Sequence, residues 1–127
     1  MSIPLNCTDH EYHEMFPRLG NLGTGPFGED ADTFGDTLAE VIQDEPQTRG
    51  LPFKIETIQE LRTLLAGSDE EIDRVTRALI RIDPTADVEE PPNWGRFPSL
   101  RAFWSAVLHV FENDPEVQAG REIDPNA

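Results

Sequence analysis

Residues 55–79, IETIQELRTLLAGSDEEIDRVTRAL, contain two helices and the turn between them, and their reading decides the fold. In the first half Ile55, Ile58, Leu61, Leu64 and Leu65 recur at intervals that fall on one face of a helix, predicted over 53–66. Gly67 follows as the C-cap residue, because glycine enters the left-handed region that ends helices without a side-chain clash. Ser68 comes next, with Glu71 three positions on. That spacing lets each side chain accept from the other's backbone N–H, a capping box that starts a second helix. Ile72, Val75, Leu79 and Ile82 mark its apolar face, and Pro84 is expected to stop it. Asp69, Glu70 and Glu71 lie at the positive end of this helix's dipole, which accounts for an acidic run there without invoking function.

The same signals recur outward in both directions. Thr8 and Glu11 form a second capping box ahead of Tyr12, Met15, Phe16 and Leu19. Pro17 ends that helix at or before Met15, so residues 16–19 are expected as a turn, and the glycines at 20, 23, 25 and 28 as a loop. A helix is predicted from Asp32 or Thr33 to Asp44, carrying Phe34, Leu38, Val41 and Ile42 and stopped by Pro46. On the C-terminal side, 83–98 reads as a long irregular connection with Trp94 anchoring it. Ser99 then caps a helix whose Leu100, Phe103, Trp104, Val107, Leu108 and Phe111 form a broad apolar face. No strand pattern of alternating apolar and polar residues exceeds four positions. The expectation is a single all-α domain over 1–127: a compact bundle of about five helices, with its core at 8–113 and a tail at 114–127 that adds a helical turn at 116–121 before it frays.

Charge restricts function. The chain has 25 acids against 10 bases and a formal net charge of -15, a field that repels phosphate backbones and anionic lipid. Nucleic-acid and membrane binding are therefore not expected, whereas basic protein partners are attracted and captured fast. One cysteine, Cys7, excludes an internal disulfide and suits a reducing compartment. With no basic and apolar leader at the start and no run long enough to span a bilayer, the expected location is the cytoplasm.

Reactive constellations are weak. His10 and His13 share a helical face near Glu14, but two histidines without a third ligand are a poor metal set. The loop GNLGTGPFG lacks the lysine and hydroxyl of a phosphate loop and runs into Glu29, Asp30, Asp32 and Asp36, which would repel phosphate. Those acids lack the alternating order of a calcium loop. His109 sits among apolar neighbours as a boundary residue, and neither a carboxylate pair nor Cys7 carries a catalytic signature. No catalytic residue, cofactor or metal is assigned, and the chain is not expected to be an enzyme.

Charge segregation is the stronger signal. Between Arg18 and Arg49 there is no Lys or Arg, while Glu29, Asp30, Asp32, Asp36, Glu40, Asp44 and Glu45 all lie inside. Glu40, Asp44 and Glu45 fall toward a helix C-terminus, where acids are unfavourable, so their placement points to a partner surface. Asp83, Asp87, Glu89 and Glu90 form a second run.

The order of these pieces resembles the CdiI-type immunity proteins of bacterial contact-dependent growth inhibition systems. The likeness covers roughly residues 12–112 and rests on five pieces. They are Phe16-Pro17-Arg18-Leu19, the loop Gly25-Pro26-Phe27-Gly28-Glu29-Asp30, the helix DTFGDTLAEVIQDEP, the pair at 55–79, and the closing SLRAFWSAVLHVF. The resemblance implies a cytosolic inhibitor, monomeric when free, that binds the toxic C-terminal domain of a cognate toxin, often a basic nuclease. Carboxylates would stand in for nucleic-acid phosphates. The contacts expected on this reading are Phe27, Glu29, Asp30, Asp32, Asp36, Glu40, Asp87, Glu89, Glu90 and Trp94, with the aromatics as desolvated anchors. The competing expectations are an acidic nucleic-acid mimic or adaptor acting on a host DNA- or RNA-binding enzyme, and a small enzyme or metal-binding protein using His10, His13 and Cys7.

Overall fold

The computed structural model of the protein describes residues 3–25, 27, 38–80 and 97–121. Among them the chain is all-α, with seven helices and one 3₁₀ turn and no strand. In order these are α1 (Asp9–Met15), α2 (Pro17–Thr24), α3 (Leu38–Asp44), the 3₁₀ turn Glu45–Thr48, α4 (Leu51–Leu65), α5 (Asp69–Leu79), α6 (Leu100–Glu112) and α7 (Pro115–Ala119).

Both capping boxes form. Thr8 accepts from the Glu11 N–H and Glu11 from the Thr8 N–H; Ser68 and Glu71 do the same for α5. The resulting bonds hold both glutamates below the ordinary carboxylate range, the backbone hydrogen bond at the cap being the largest cause in each. Ser99 accepts from Ala102 at the start of α6.

The segment expected as turn and glycine loop is instead α2. Pro17 occupies its first turn, where the missing N–H removes no helical bond and the fixed φ suits the helix. Its glycines serve packing. A Cβ at Gly20 would lie 2.5 Å from Nδ1 of His13, and one at Gly23 would lie 1.7 Å from the carbonyl oxygen of Leu79. Only a helix face without side chains lets α1 and the end of α5 approach this closely. α2 lacks a side-chain cap of its own. Glu60 on α4 provides it in trans, accepting from the Arg18 N–H at 2.9 Å and the Leu19 N–H at 3.1 Å.

Further boundaries also shift. α4 begins at Leu51, two residues ahead of its expected start, because Pro52 is acceptable in a first turn. α5 ends at Leu79 as Ile80 turns extended, and the expected continuation to Ile82 lies outside the described residues. The helical turn expected at 116–121 is α7, which starts one residue earlier and is capped by Asp114, which accepts from the N–H groups of Glu116 and Val117.

The core lies where α4 and α6 cross, with α5 beside α6, α1 and α2 closing one side, and α3 and α7 against α6. Tyr12, Phe16, Leu19, Leu22, Leu61, Leu64, Ile72, Val75, Phe103, Trp104 and Phe111 are buried together. At roughly 1.5–3 kcal/mol per buried large apolar side chain, this cluster is the main source of stability. Its polar groups are paired: Trp104 Nε1 donates to the Thr76 hydroxyl at 2.8 Å, which donates to the Ile72 carbonyl. Ile55, expected on the apolar face of α4, is exposed.

Candidate functional site

Of the residues expected to contact a partner, Glu29, Asp30, Asp32, Asp36, Asp87, Glu89, Glu90 and Trp94 lie outside the described residues. Glu40 is exposed on α3. Phe27 is corrected: it is 0% exposed. Its N–H donates to the Leu22 carbonyl, and its ring meets Phe103 and Trp104 edge-on at 5.2 and 6.2 Å. A side chain so enclosed has no surface to give a partner. It acts as an internal peg between α2 and the core.

The two N-terminal histidines have separate partners. His10 is exposed and pairs with Glu14 at 2.9 Å, whereas His13 is half-buried with Nε2 3.1 Å from the Ala78 carbonyl. Among the described residues, no three His, Cys, Asp or Glu side chains are gathered as a metal ion would need. Cys7 is half-buried with a free thiol, and its carbonyl accepts from Arg74.

Most cations of the helical body are held in ion pairs within it. Arg18 pairs with Glu56, Arg49 with Glu45 at 2.6 Å, Arg62 with Glu112 at 2.6 Å, Arg74 with Asp9 at 3.6 Å and Arg101 with Asp69 at 2.6 Å. Arg18 and Arg49 also lie over the ring of Phe53, and Arg74 over that of Tyr12. Arg101 donates further to the carbonyls of Leu65 and Gly67, closing the end of α4 from α6. The closing motif Ser-x-Arg-x-Phe-Trp is thus used by the fold: cap, carbonyl clasp and core.

Lys54 is the most constrained of these cations. It is 2% exposed, with Nζ 2.8 Å from Asp114 and 2.6 Å from Glu116. Burial opposes its charge, but hydrogen bonds to Asp114 and Glu116 and their negative charges outweigh it, so the ammonium titrates above its ordinary value. Two carboxylates are raised as well, which for an acid favours the neutral form. Burial raises Glu45 against the pull of Arg49, and raises Glu60 against the N–H groups it accepts and Arg18.

Six of the eight described basic residues are therefore consumed in ion pairs, while fifteen acids share the same elements. The remaining ten acids of the sequence stand against only Arg81 and Arg96. From α3 into the 3₁₀ turn that follows, positions 40, 43, 44 and 47 are all exposed, and no basic residue occupies the last turn of α3. Asp44 has no ion-pair partner among the described residues. Beside this edge is a depression of about 250 Å³, walled by Gln43, Pro46 and Gln47 on one side and by His109, Val110 and Asn113 on the other. A second depression of about 400 Å³ is bordered by Met15, Arg18, Glu56 and Glu60, whose polar groups already serve the start of α2.

The α3 edge was partly legible as acids at an unfavourable helix end. The depression was not, because His109 and Asn113 come from α6, more than sixty residues away in sequence. No family model matches the chain, and no curated protein or solved structure matches it.

Proposed function

We propose that this chain is an immunity-type inhibitor that binds and neutralises a cognate basic toxin domain of the nuclease class, in the cytosol of the bacterium that produces both. The observation that supports this reading most is the unequal use of charge. The helical body commits six of its eight cations to internal pairs, and the ten acids outside the described residues stand against only Arg81 and Arg96 in the sequence. Self-repulsion of that kind lowers the stability of a compact chain, and it is offset when a cationic protein binds. A nuclease presents such a surface where it holds phosphates, and carboxylates placed there exclude the substrate. Inhibition of this kind needs position and charge from the inhibitor and no reactive group. No helix among the described residues is long and apolar enough to cross a membrane.

The test is co-expression with the toxic domain encoded by the neighbouring open reading frame. Cells are expected to survive only with this chain present. The quadruple variant Glu29→Lys, Asp30→Lys, Asp32→Lys, Asp36→Lys is expected to lose protection while keeping its helical circular dichroism. Protection equal to wild type would remove the acidic surface from the account. Specific capture of a housekeeping DNA- or RNA-binding enzyme, with no linked toxin, would replace immunity by nucleic-acid mimicry.

A further inference from the structure

We infer that the depression between the end of α3 and the end of α6 is the seat for one arginine side chain of a cationic protein partner. The inference rests on the partner-binding reading above and names a seat within it.

The chemistry of the walls selects the occupant. At about 30 Å³ per water, 250 Å³ has room for roughly eight waters, enough for a long side chain to enter. Pro46, Val110 and Pro115 present aliphatic surface suited to the methylene stem of such a side chain. Around them stand Gln43, Gln47 and Asn113, each with an amide oxygen that only accepts. The side chains of Gln43 and Gln47 make no hydrogen bond among the described residues. Asn113 donates from Nδ2 to the His109 carbonyl at 2.7 Å, which leaves its Oδ1 for an incoming donor.

Electrostatics excludes the other classes. The last turn of α6 ends at this wall, and the carbonyl ends of a helix carry partial negative charge. Asp44 is exposed beside Gln43 and Gln47 on the α3 edge. No Lys or Arg lines the depression. Asp114 lines the depression but is buried against Lys54, whose charge it and Glu116 neutralise. An anion would face Asp44 and the carbonyl end of α6 with no cation in the walls to hold it, and an apolar group would leave the amides unpaired. A guanidinium fits better than an ammonium. Its planar fork of five donors reaches several oxygens at once, it is more weakly hydrated, and its face stacks on rings such as that of His109.

The experiment uses the full chain and a single guanidinium as probe. N-acetyl-arginine amide is titrated into isotope-labelled protein and followed by two-dimensional amide NMR. Saturable shifts are expected at the side-chain amides of Gln43, Gln47 and Asn113 and along 109–115. The uncharged isostere N-acetyl-citrulline amide should bind at least about tenfold more weakly. Gln47→Arg, which fills the seat with a tethered guanidinium at an exposed position, should abolish the shifts, whereas Gln59→Arg at the other depression should leave them. Shifts that spread over every acidic position without saturating, equal binding of citrulline, or concentration-dependent self-association through the exposed arginines Arg77 and Arg121 would each overturn the seat.

Co-expression separates this inference from its premise. Gln47→Arg should lower protection at least about tenfold in surviving cells. If it protects fully while the quadruple lysine variant fails, the seat falls and the acidic surface stands. If the quadruple variant protects and Gln47→Arg fails, the seat stands without the charge at 29–36.

Discussion

The corner where α4, α6 and α7 meet and the edge formed by α3 contain the same kind of residue and put it to opposite use. At the corner, Asp114 and Glu116 close over a buried lysine, and Asp114 also caps α7. At the edge, Asp44 is exposed at the end of its helix with no ion-pair partner among the described residues. A carboxylate becomes structural when a cation from a distant element reaches it and water is excluded. Without both, it contributes only field. The net charge of a sequence says how many acids there are and nothing about this division.

The largest effect is expected at the corner. Lys54→Ala leaves Asp114 buried beside an empty volume and should destabilise the protein by about 3–5 kcal/mol, read as a shift in urea midpoint. Lys54→Met combined with Asp114→Asn keeps the volume and removes both charges, and should recover part of that loss. If Lys54→Ala cost no more than a surface substitution, α7 would be an ornament on the bundle and the contrast with α3 would collapse.

Glu60 gives an intermediate case, a carboxylate half-buried at another helix's start. Glu60→Ala takes the acceptor from the N–H groups of Arg18 and Leu19 and should destabilise by about 1–3 kcal/mol, with Glu60→Gln milder because its amide oxygen still accepts. The same residue sets a pH response. Glu45 and Glu60 both titrate above the ordinary carboxylate range, so the fold binds their protons more tightly than the unfolded chain does. The stability they contribute is full below the ordinary value and is lost as pH rises through their raised values. Glu11 and Glu71 are lowered, so their contribution is present above the ordinary value and lost as pH falls below it. Thermal melting should therefore peak on the acid side of neutrality, just above the ordinary carboxylate range. The alkaline limb of that peak should flatten in Glu45→Gln and Glu60→Gln. A melting temperature that falls steadily from neutral pH downward in all three proteins would contradict this assignment.

What the sequence made legible follows the range of the interaction. Thr8 with Glu11 and Ser68 with Glu71 act over three residues, and both helix starts were readable from spacing alone. The apolar faces of α5 and α6 were readable for the same reason. Gly20 and Gly23 looked like loop punctuation because glycine is a poor helix former. What keeps them in α2 is the close approach of His13 and of Leu79, the latter 56 positions away, and no local window contains that contact. Nothing in the sequence around Lys54 marks it as buried, since its partners lie 60 and 62 positions on. Phe27 stood beside acids in sequence and was read as an anchor for a partner, yet its ring belongs to Phe103 and Trp104. The acidic gap between Arg18 and Arg49 was visible at once because it is a property of composition. Where most of those acids sit is outside the described residues.

The smallest effect sharpens the comparison most, because its sign is reversed. Asp44 closes α3, where the helix carbonyls already supply negative charge, and it makes no side-chain cap to the 3₁₀ turn that follows. Asp44→Arg exchanges an unfavourable charge for a favourable one at that end. It should raise stability by about 0.3–1 kcal/mol at low ionic strength, with Asp44→Asn giving roughly half and salt erasing the difference. The same variant should slow association with a cationic partner, and the loss should fade as salt screens the field. A residue whose removal stabilises the fold and weakens capture is placed for the partner. If Asp44→Arg instead destabilised the protein as the corner variants do, the α3 edge would be one more internally paired surface.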